Sequence, residues 1–364
     1  MVLDGDYPHT LPVQSELKKY LGATIYSVSS NRRSPGYLSR TTDVRLLGPR
    51  SISPDFPDAL TRLVEEYRPD IVVPIGYAAS ASTLDSLGSF PENVKSLVAD
   101  RTSFEIAASK TSTYEVAEGV CVRAPREIPT IQGGKPSDAS PFPMFAKARI
   151  ERGGVSTALI SSLEELNSFD PEELGGDVLY QEVIDGNSFT YAHNGYYENG
   201  KLVTGFQHVE HRSVPRRGGS GTRLQTIDEP LLQEKANALL SKINWNGIAQ
   251  VEFKISRTGE FVLMEINPKV WASYSLATRS GNPIMATAVS RILNTPFITE
   301  LPEPKVGLSM IFPFRELAHA VKFRRSESVA ESVRSLIWPP ASLDFELLDL
   351  HAVWPRRLFS KGTR

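Results

Sequence analysis

The stretch VEFKISRTGEFVLMEINPK, from Val251 to Lys269, has the pattern of a β-hairpin. Apolar and β-branched residues alternate with polar ones on both sides of Thr258-Gly259, a dipeptide typical of a hairpin turn. A two-residue loop there places Glu252 directly opposite Glu265. A four-residue loop would move the partners one step diagonally but keep both carboxylates on one face. Asn267 shares that face because side chains alternate with a period of two.

The two glutamates raise an electrostatic question, since like charges opposite each other destabilise a sheet. Together with Asn267 they place three oxygen donors on one face, and such donors suit Mg²⁺ or Mn²⁺ rather than zinc. The sequence therefore predicts a divalent-cation site on the hairpin. The alternative is a hairpin face on which both carboxylates are solvated.

Length and composition set the broad class. With 364 residues, the chain exceeds the size at which one core usually stops growing, so two or three domains are expected. A net charge of −2 and a pI near 6.4 give no basic field for nucleic acid or an anionic membrane. No apolar run is long enough to span a bilayer, no leader pattern opens the chain, and the single Cys121 excludes a disulfide framework. We therefore expect a cytoplasmic protein without nucleic-acid or membrane partners, with a homodimer as the default oligomer.

The first hundred residues alternate between strand-like and helix-like segments. Residues 70–75 suit a buried parallel strand, followed by a loop from Gly76 to Ser80. This alternation predicts a small open parallel sheet with ligands at the carboxyl ends of its strands. No G-x-G-x-x-G motif follows any strand, which counts against a dinucleotide site. The opening apolar segment, Met1 to Leu3, is short for a strand, as it would be if further sequence preceded it.

Basic residues further along could bind an anion or simply face solvent. Lys110 lies in a helical segment, and composition alone favours a surface position for it. Lys147 lies on the apolar strand Met144 to Ala148, where a solvated edge residue and an anion ligand both fit. Arg216 and Arg217 precede two glycines, in either an exposed turn or a clamp on phosphate or carboxylate. No single one of these signals decides between its two interpretations.

The order of the segments resembles the ATP-grasp superfamily, and within it the carboxylate–amine ligases whose last motif is E-I-N-P-R-x-W. The similarity covers about residues 101–294 in four motifs. These are SKTSTYEVAEGVCVRAP around Lys110, FAKARIERGGVST around Lys147, YQEVIDGNSFTYA around Glu182, and the hairpin. Each motif is short, but the four occur in the order that the superfamily requires.

The resemblance implies an α/β chain of the ATP-grasp fold with a role for each motif. It implies an N-terminal α/β domain at 1–100, an ATP-grasp domain at 101–300 with a lid at about 118–180, and a C-terminal extension at 301–364 of unassigned role. The implied ATP-binding residues are Lys110, Lys147, Gly153, Gly154, Val155, Ser156, Gln181, Glu182, Ile184 and Ser188. The implied metal ligands are Glu252, Glu265 and Asn267, and the implied catalytic residues are Lys269, Arg212 and Arg216.

Two positions depart from the superfamily pattern. Many relatives have an acidic residue for the ribose hydroxyls where a gapless alignment gives Ser188. Most have arginine after the Asn-Pro dipeptide, where this chain has Lys269. Lysine keeps the positive charge beside an acyl-phosphate but loses the bidentate fork of arginine.

The implied function is an ADP-forming ligase that uses ATP and Mg²⁺ (or Mn²⁺) to join a carboxylate to an amine. Its implied partners are small-molecule acids and amines, with amino acids among the candidates. Two other classes remain open at this point. One is an ATP-binding protein of the same fold without the ligase step, and the other is a dinucleotide-dependent oxidoreductase, which only the α/β N-terminal region suggests.

Overall fold

The structure is a computed structural model that describes residues 1–131, 134–150, 157–187, 189–214, 220–296, 303–313, 315 and 342–343. Over these residues the chain has a mixed α/β fold with both parallel and antiparallel sheets. None of the helices in these ranges is long and apolar enough to cross a membrane.

The N-terminal region is a small parallel sheet flanked by helices, as the alternating pattern predicts. Its elements are α1 (Thr10–Leu21), β1 (Tyr26–Ser29), α2 (Pro35–Leu38), β2 (Val44–Leu47), α3 (Phe56–Tyr67), β3 (Ile71–Val72), α4 (Tyr77–Ser86) and β4 (Lys95–Ser96). The pairs β1–β2 and β3–β4 are parallel, and Val2 joins them through parallel bridges to Ser27 and Val73. The opening segment therefore contributes the central link of this sheet.

The loop predicted from Gly76 to Ser80 is wrong. Gly76 is the extended N-cap of α4, and the helix begins at Tyr77. The small residues that suggested a loop are compatible with this helix, because alanine has the highest helix propensity and the Ser80 hydroxyl finds a partner one turn back, the carbonyl of Gly76 at 3.0 Å.

Two short helices begin the next region and meet at Ser109. They are α5 (Arg101–Ala108) and α6 (Lys110–Gly119). Ser109 has an extended backbone, and its hydroxyl accepts the Ser112 N–H at 3.3 Å as an N-cap. The chain changes direction at this residue, so Lys110 opens a new helix instead of continuing the previous one.

A three-stranded antiparallel sheet follows, with its own apolar core. Its elements are β5 (Met144–Ala148), β6 (Thr157–Ile160), α7 (Leu163–Ser168) and β7 (Val178–Glu182), with the strand order β6-β5-β7. Met144 and Ala146 pack into that core with Ile160 and Tyr180. Because side chains alternate along a strand, Lys147 points to the opposite face.

The largest sheet contains seven described strands in the order β12-β11-β8-β9-β10-β13-β14. Its region comprises β8 (Thr190–Glu198), β9 (Lys201–Val214), β10 (Ser220–Ile227), α8 (Pro230–Lys242), β11 (Gly247–Ile255), β12 (Phe261–Asn267), α9 (Ser275–Ser280), α10 (Ile284–Leu293), β13 (Ser309–Ile311) and β14 (Ser342–Leu343). One face packs against α8 through a core that includes Leu239 and Phe253. The other face packs against α1, α9 and α10, where Phe206, Trp271 and Leu17 share one core.

A buried glutamate joins the N-terminal region to the end of the large sheet region. Glu16 of α1 is 1% exposed. Its carboxyl oxygens accept the Ala286 N–H at 2.8 Å and the Tyr274 hydroxyl at 2.9 Å, and that hydroxyl accepts the Met285 N–H at 2.8 Å. These bonds satisfy N–H groups in the first turn of α10, which have no partner within their own helix. The contact therefore caps α10 from a distant part of the chain.

Stability should depend on pH through Glu16, because burial raises its pKa to about 8 from an ordinary value of 4.5. Between these values the folded protein keeps a proton that the unfolded chain has lost, so the free energy of unfolding falls as pH rises. We expect Glu16→Gln to gain melting temperature relative to the wild type as pH rises from about 4.5 to about 8. Glu65→Gln, at an exposed position of α3, is the control for the loss of a surface carboxyl. A Glu16→Gln difference that does not vary with pH would contradict this assignment.

Candidate active site

The hairpin of β11 and β12 forms with the predicted pairing, in which Glu252 lies opposite Glu265. Its loop, however, is neither the two-residue nor the four-residue loop that the sequence suggested, because residues 256–260 lie between the paired residues Ile255 and Phe261. The Ser256 N–H donates to the carbonyl of Glu260 at 2.9 Å, and the Gly259 N–H closes the turn on the carbonyl of Ser256 at 3.0 Å. Gly259 has a φ of 83°, a left-handed conformation that favours glycine.

A β-bulge restores the register that the longer loop would have lost. Next to the loop, Ile255 pairs with Phe261, and continuing that register would set Glu252 opposite Met264. The pairing shifts by one residue between Glu252 and Phe253, so that Met264 is the extra residue. The shift returns the two carboxylates to facing positions, and the predicted pair therefore depends on a bulge that the count of loop residues did not include.

Asn267 lies against both glutamates. Its Nδ2 is 3.1 Å from Glu265 Oε1 and 3.4 Å from Glu252 Oε1, and the residue is 5% exposed. In this arrangement the amide donates to two carboxylates. The same amide group also contains an oxygen that can bind a cation.

Two lysines from separate elements reach the carboxylate pair. The side chain of Lys110, at the start of α6, is 4% exposed, and its Nζ is 3.5 Å from Glu265 Oε2. The surface interpretation of Lys110 is therefore wrong, because the change of direction at Ser109 turns the start of α6 into the site. Lys147, on the outward face of β5, lies near enough for its charge to lower the pKa of Glu265.

The two glutamates do not share charge equally. Burial alone would raise the pKa of Glu265. The positive charges of Lys110, Lys147 and Lys269 outweigh that effect, so the pKa of Glu265 lies below its ordinary value. Burial raises the pKa of Glu252 well above its ordinary value, and the negative charge of Glu265 raises it further. Burial also lowers the pKa of Lys147 to about 8. Burial and the neighbouring charges therefore favour the ionised form of Glu265 and the protonated form of Glu252.

The end of β7 lies beside the hairpin. Gln181 is 1% exposed, and its Oε1 accepts the Tyr114 hydroxyl at 3.0 Å, which also lies 3.1 Å from the carbonyl of Met264. The Glu182 carboxylate is engaged by Arg123 at 3.2 Å. Ile184 forms a small buried apolar cluster with Val262 and Met264 of β12. The predicted ATP-binding residue Ile184 thus borders the bulge across an apolar surface. Sequence reasoning missed Tyr114, Val262 and Met264 because their contacts are long-range.

The predicted catalytic residues Lys269 and Arg212 occupy different places. Lys269 follows β12 closely enough for its charge to lower the pKa of both Glu252 and Glu265. The N–H of the next residue, Val270, donates to the carbonyl of Ile75 at 3.1 Å, so the N-terminal region packs against this end of the site. Arg212 lies in β9 opposite Arg223, and β8 separates β9 from β11. Lys269 therefore lies near enough to influence the charge of both carboxylates, whereas Arg212 lies two strands from Glu252.

Sequence reasoning also missed a third carboxylate near the pair. Glu210 of β9 is near enough for its charge to raise the pKa of Glu252. Burial raises the pKa of Glu210 itself to about 7, while the charges of Lys254 and Arg315 oppose that rise. Gly221 leaves the space that the Glu210 carboxyl occupies, since a Cβ there would lie 2.4 Å from it. In the sequence, only the alternation of side chains along β9 could have indicated which face Glu210 occupies.

Several predicted site residues lie outside the described residues, and their roles stay predictions. They are Gly153, Gly154, Val155, Ser156, Ser188 and Arg216, together with the neighbouring Arg217.

The donor chemistry of the hairpin fits a hard divalent cation. Across the residues that the structure describes, no group of three or more His, Cys, Asp and Glu side chains could hold a metal ion. The candidate set is instead two carboxylates and one amide, from Glu252, Glu265 and Asn267. Such a partial set suits Mg²⁺, which usually completes its octahedron with phosphate oxygens and water. A cation between the carboxylates would also allow both to ionise.

The sequence matches no protein-family model and no curated protein. The fold, in contrast, matches solved structures. Biotin carboxylase from Campylobacter jejuni, in a complex with β,γ-ATP, aligns with a TM-score of 0.68 at 14% identity, over 85% of this chain and 74% of that one. N5-carboxyaminoimidazole synthetase from Staphylococcus aureus, complexed with ADP, aligns with a TM-score of 0.66 at 13% identity, over 89% and 84% of the two chains.

An L-amino acid ligase from Bacillus licheniformis also matches, with a TM-score of 0.61 at 12% identity over 81% of this chain and 74% of that one. All three are ATP-grasp enzymes. The chain has the ATP-grasp fold. At these identities the likeness establishes the fold alone, and the fold predicted from the four motifs is confirmed.

Replacing the two glutamates by glutamine should affect stability differently in metal-free buffer. Glu265→Gln removes an anionic partner of the buried Lys110 and should lower the free energy of unfolding by about 1–3 kcal/mol. Glu252→Gln removes a carboxyl whose ionised form is disfavoured by burial and by the charge of Glu265, and it should leave that free energy unchanged or raise it. Urea unfolding in the presence of EDTA measures both. Equal losses in the two variants would contradict the unequal charge of the pair.

Proposed function

We propose that this chain is an ATP-dependent, ADP-forming ligase that joins a carboxylate to an amine through an acyl-phosphate. The observation that supports it most directly is the facing pair Glu252 and Glu265 with Lys110 and Lys147 beside it, within an ATP-grasp fold. Two carboxylates and two ammonium groups close together suit a polyphosphate and a divalent cation. A purely structural hairpin would gain little from them, because burying charges is costly.

The nucleotide would lie between the three-stranded sheet of β5, β6 and β7 and the hairpin. Lys110 and Lys147 would bind phosphate oxygens, and the loop 153–156 would close over them. The apolar cluster of Ile184, Val262 and Met264 would contact the face of the adenine ring. The backbone from Glu182 to Ile184, with Gln181 beside it, would meet the edge of that ring. Ser188 would lie near the ribose.

Glu252, Glu265 and Asn267 would hold Mg²⁺ (or Mn²⁺), which when bound neutralises phosphate charge. The three side chains come from two adjacent strands, which fixes their spacing independently of any loop.

The chemistry follows from the low reactivity of a carboxylate toward amines. One oxygen of the substrate carboxylate bonds to the γ-phosphorus of ATP, and the bond from that phosphorus to the β,γ-bridging oxygen breaks to release ADP. The amine nitrogen then bonds to the carbonyl carbon of the acyl-phosphate. The carbon–oxygen bond to phosphate breaks, inorganic phosphate leaves, and the amine gives up a proton.

This chain's residues would position the groups and stabilise charge. Lys269, with Arg212 and Arg216, would stabilise the transferring phosphoryl group and the tetrahedral intermediate. An acyl-phosphate hydrolyses in water, so the site must close during the reaction. The segment from about 118 to 180, which contains β5 and β6 and reaches into β7, is the proposed lid.

ADP release over a panel of small carboxylic acids and amines, amino acids included, tests the proposal. We expect ADP formation that requires an acid, an amide product that requires the amine, and a hydroxamate when hydroxylamine replaces the amine. Glu265→Ala should fold but lack turnover, because it loses a ligand for the cation at the phosphates. ATP binding without acid-dependent ADP release across the panel would instead favour a nucleotide-binding protein without the ligase step.

Lys147→Ala and Lys110→Ala should each weaken ATP binding by about 10- to 100-fold, since a charged hydrogen bond to phosphate is worth about 1.5–3 kcal/mol. Isothermal titration calorimetry measures this loss. Lys135→Ala is the matched control, because Lys135 donates to the carbonyls of Leu166 and Asn167 beside the same small sheet. Unchanged affinity in both site variants would return the two lysines to structural roles.

Lys269→Ala should lower the turnover number more than it weakens ATP binding, since its charge matters most as the phosphoryl group moves. Lys269→Arg should keep substantial activity, because arginine preserves the charge and adds a bidentate fork. Steady-state kinetics at saturating ATP and Mg²⁺ separate the two effects. Full turnover in Lys269→Ala would remove this residue from the catalytic set.

A further inference from the structure

The end of β5 and the start of α6 are joined by main-chain hydrogen bonds. The N–H of Lys110 donates to the carbonyl of Arg149 at 2.9 Å, and Ser109 and Ile150 form an antiparallel bridge. The first N–H groups of a helix have no partner within it, so this carbonyl satisfies the first N–H of α6. The bonds therefore connect the helix that begins at Lys110 to the strand that carries Lys147.

The side chain of Arg149 holds the same joint from three directions. Its Nη1 donates to the Thr111 hydroxyl of α6 at 3.0 Å, its Nη2 donates to Glu127 Oε1 at 2.7 Å, and its Nε lies 3.2 Å from Asp177 Oδ1. The N–H of Arg149 also donates to the carbonyl of Asp177 at 3.1 Å. Glu127 precedes β5 and Asp177 directly precedes β7, so one planar guanidinium bridges three segments of the chain.

These contacts distinguish Arg149 from the two lysines that are proposed to bind phosphate. Each of its guanidinium nitrogens already has a protein partner, and two carboxylates balance its charge. Lys147 lies two positions earlier and leaves the strand on the same side, because side chains alternate. Burial lowers the pKa of Lys147 to about 8, and the nearby charge of Lys110 lowers it further. The two ammonium groups therefore lie close to each other, beside a guanidinium that is fully engaged by the protein.

Like charges repel, so the two lysines do not hold each other at a useful spacing. The backbone that carries them has to set that spacing, and Arg149 lies where the two elements meet. We infer that Arg149 is a positioning residue for the phosphate site: it fixes the start of α6 against β5, so that Lys110 and Lys147 reach the same polyphosphate. This inference rests on the proposed function, in which the two lysines bind phosphate oxygens.

A double-mutant cycle on ATP binding tests this role, with affinities measured by isothermal titration calorimetry in the presence of Mg²⁺. Arg149→Met keeps much of the side-chain length but no donor, and it should weaken ATP binding by about 10-fold, within the range of couplings between contacting residues. In the Lys110→Ala background the same change should weaken binding by less than about 2-fold, because the lysine that Arg149 positions is gone.

Two further variants separate position from charge. Arg149→Lys keeps the charge but loses the fork, so it should bind ATP about as weakly as Arg149→Met. Thr111→Val removes only the bond to α6 and should weaken binding by about 3-fold, a loss that should also disappear in the Lys110→Ala background. Arg257→Met is the matched control and should leave the affinity unchanged, because Arg257 pairs with Asp185 at 3.0 and 2.6 Å beside the hairpin loop.

Three results would each overturn the positioning role: unchanged affinity in Arg149→Met, wild-type affinity in Arg149→Lys, or equal losses with and without Lys110. If Arg149→Met does not fold, the Thr111→Val cycle decides, and equal losses in its two backgrounds would overturn the role as well. A wild type that does not bind ATP would overturn the proposed function itself, whereas the other results leave that function standing.

Discussion

The structure depends on keeping two carboxylates face to face inside a sheet. Glu252 and Glu265 repel each other, and burial raises the cost of charging both. Lys110 and Lys147 offset that repulsion, although neither lies in the hairpin. Lys110 comes from the start of a helix and Lys147 from a separate sheet. Three parts of the chain must therefore assemble before the repulsion between the two carboxylates is offset. A carboxylate pair of this kind is a poor choice for stability and a suitable one for binding a cation with a polyphosphate.

The surrounding elements serve that assembly. Ser109 turns the chain so that Lys110 faces the pair, and the Tyr114 hydroxyl on the same helix lies within hydrogen-bonding distance of both Gln181 and the bulge at Met264. Specific polar contacts thereby join the three-stranded sheet, α6 and the hairpin. At the other side, the capping of α10 by Glu16 and the bond from Val270 to Ile75 fix the N-terminal region beside Lys269. The residues proposed to bind phosphate and the proposed catalytic residue Lys269 are therefore positioned by specific contacts between distant parts of the chain.

Much of this could be predicted from the sequence where a local rule applied. Period-two alternation identified the shared face of Glu252, Glu265 and Asn267, and it holds in the structure. Loop length could not be predicted in the same way, because Thr258-Gly259 is compatible with several turns and the bulge at Met264 leaves no local signal. The predicted pairing was correct because the longer loop and the bulge compensate for each other.

The positions of side chains that meet across long stretches of chain could not be predicted from the sequence, for a different reason. Lysine is usually a surface residue, and only the packing of α6 against β12 shows that Lys110 is buried. Arg149 is 38 positions from Thr111 along the chain, and their hydrogen bond forms only once β5 lies against α6. The glycine loop at 153–156 and the arginine at 216 lie outside the described residues, so their predicted roles rest on the motif order alone.

The central claim is that the bulged hairpin holds a divalent cation against the phosphates of a nucleotide. X-ray diffraction above the manganese K edge, from crystals grown with Mn²⁺ and ADP, tests it most directly. We predict an anomalous peak in contact with the carboxylates of Glu252 and Glu265, with the diphosphate on its far side. Bound nucleotide with no anomalous peak at the hairpin, or with the peak held by other side chains, would contradict the claim.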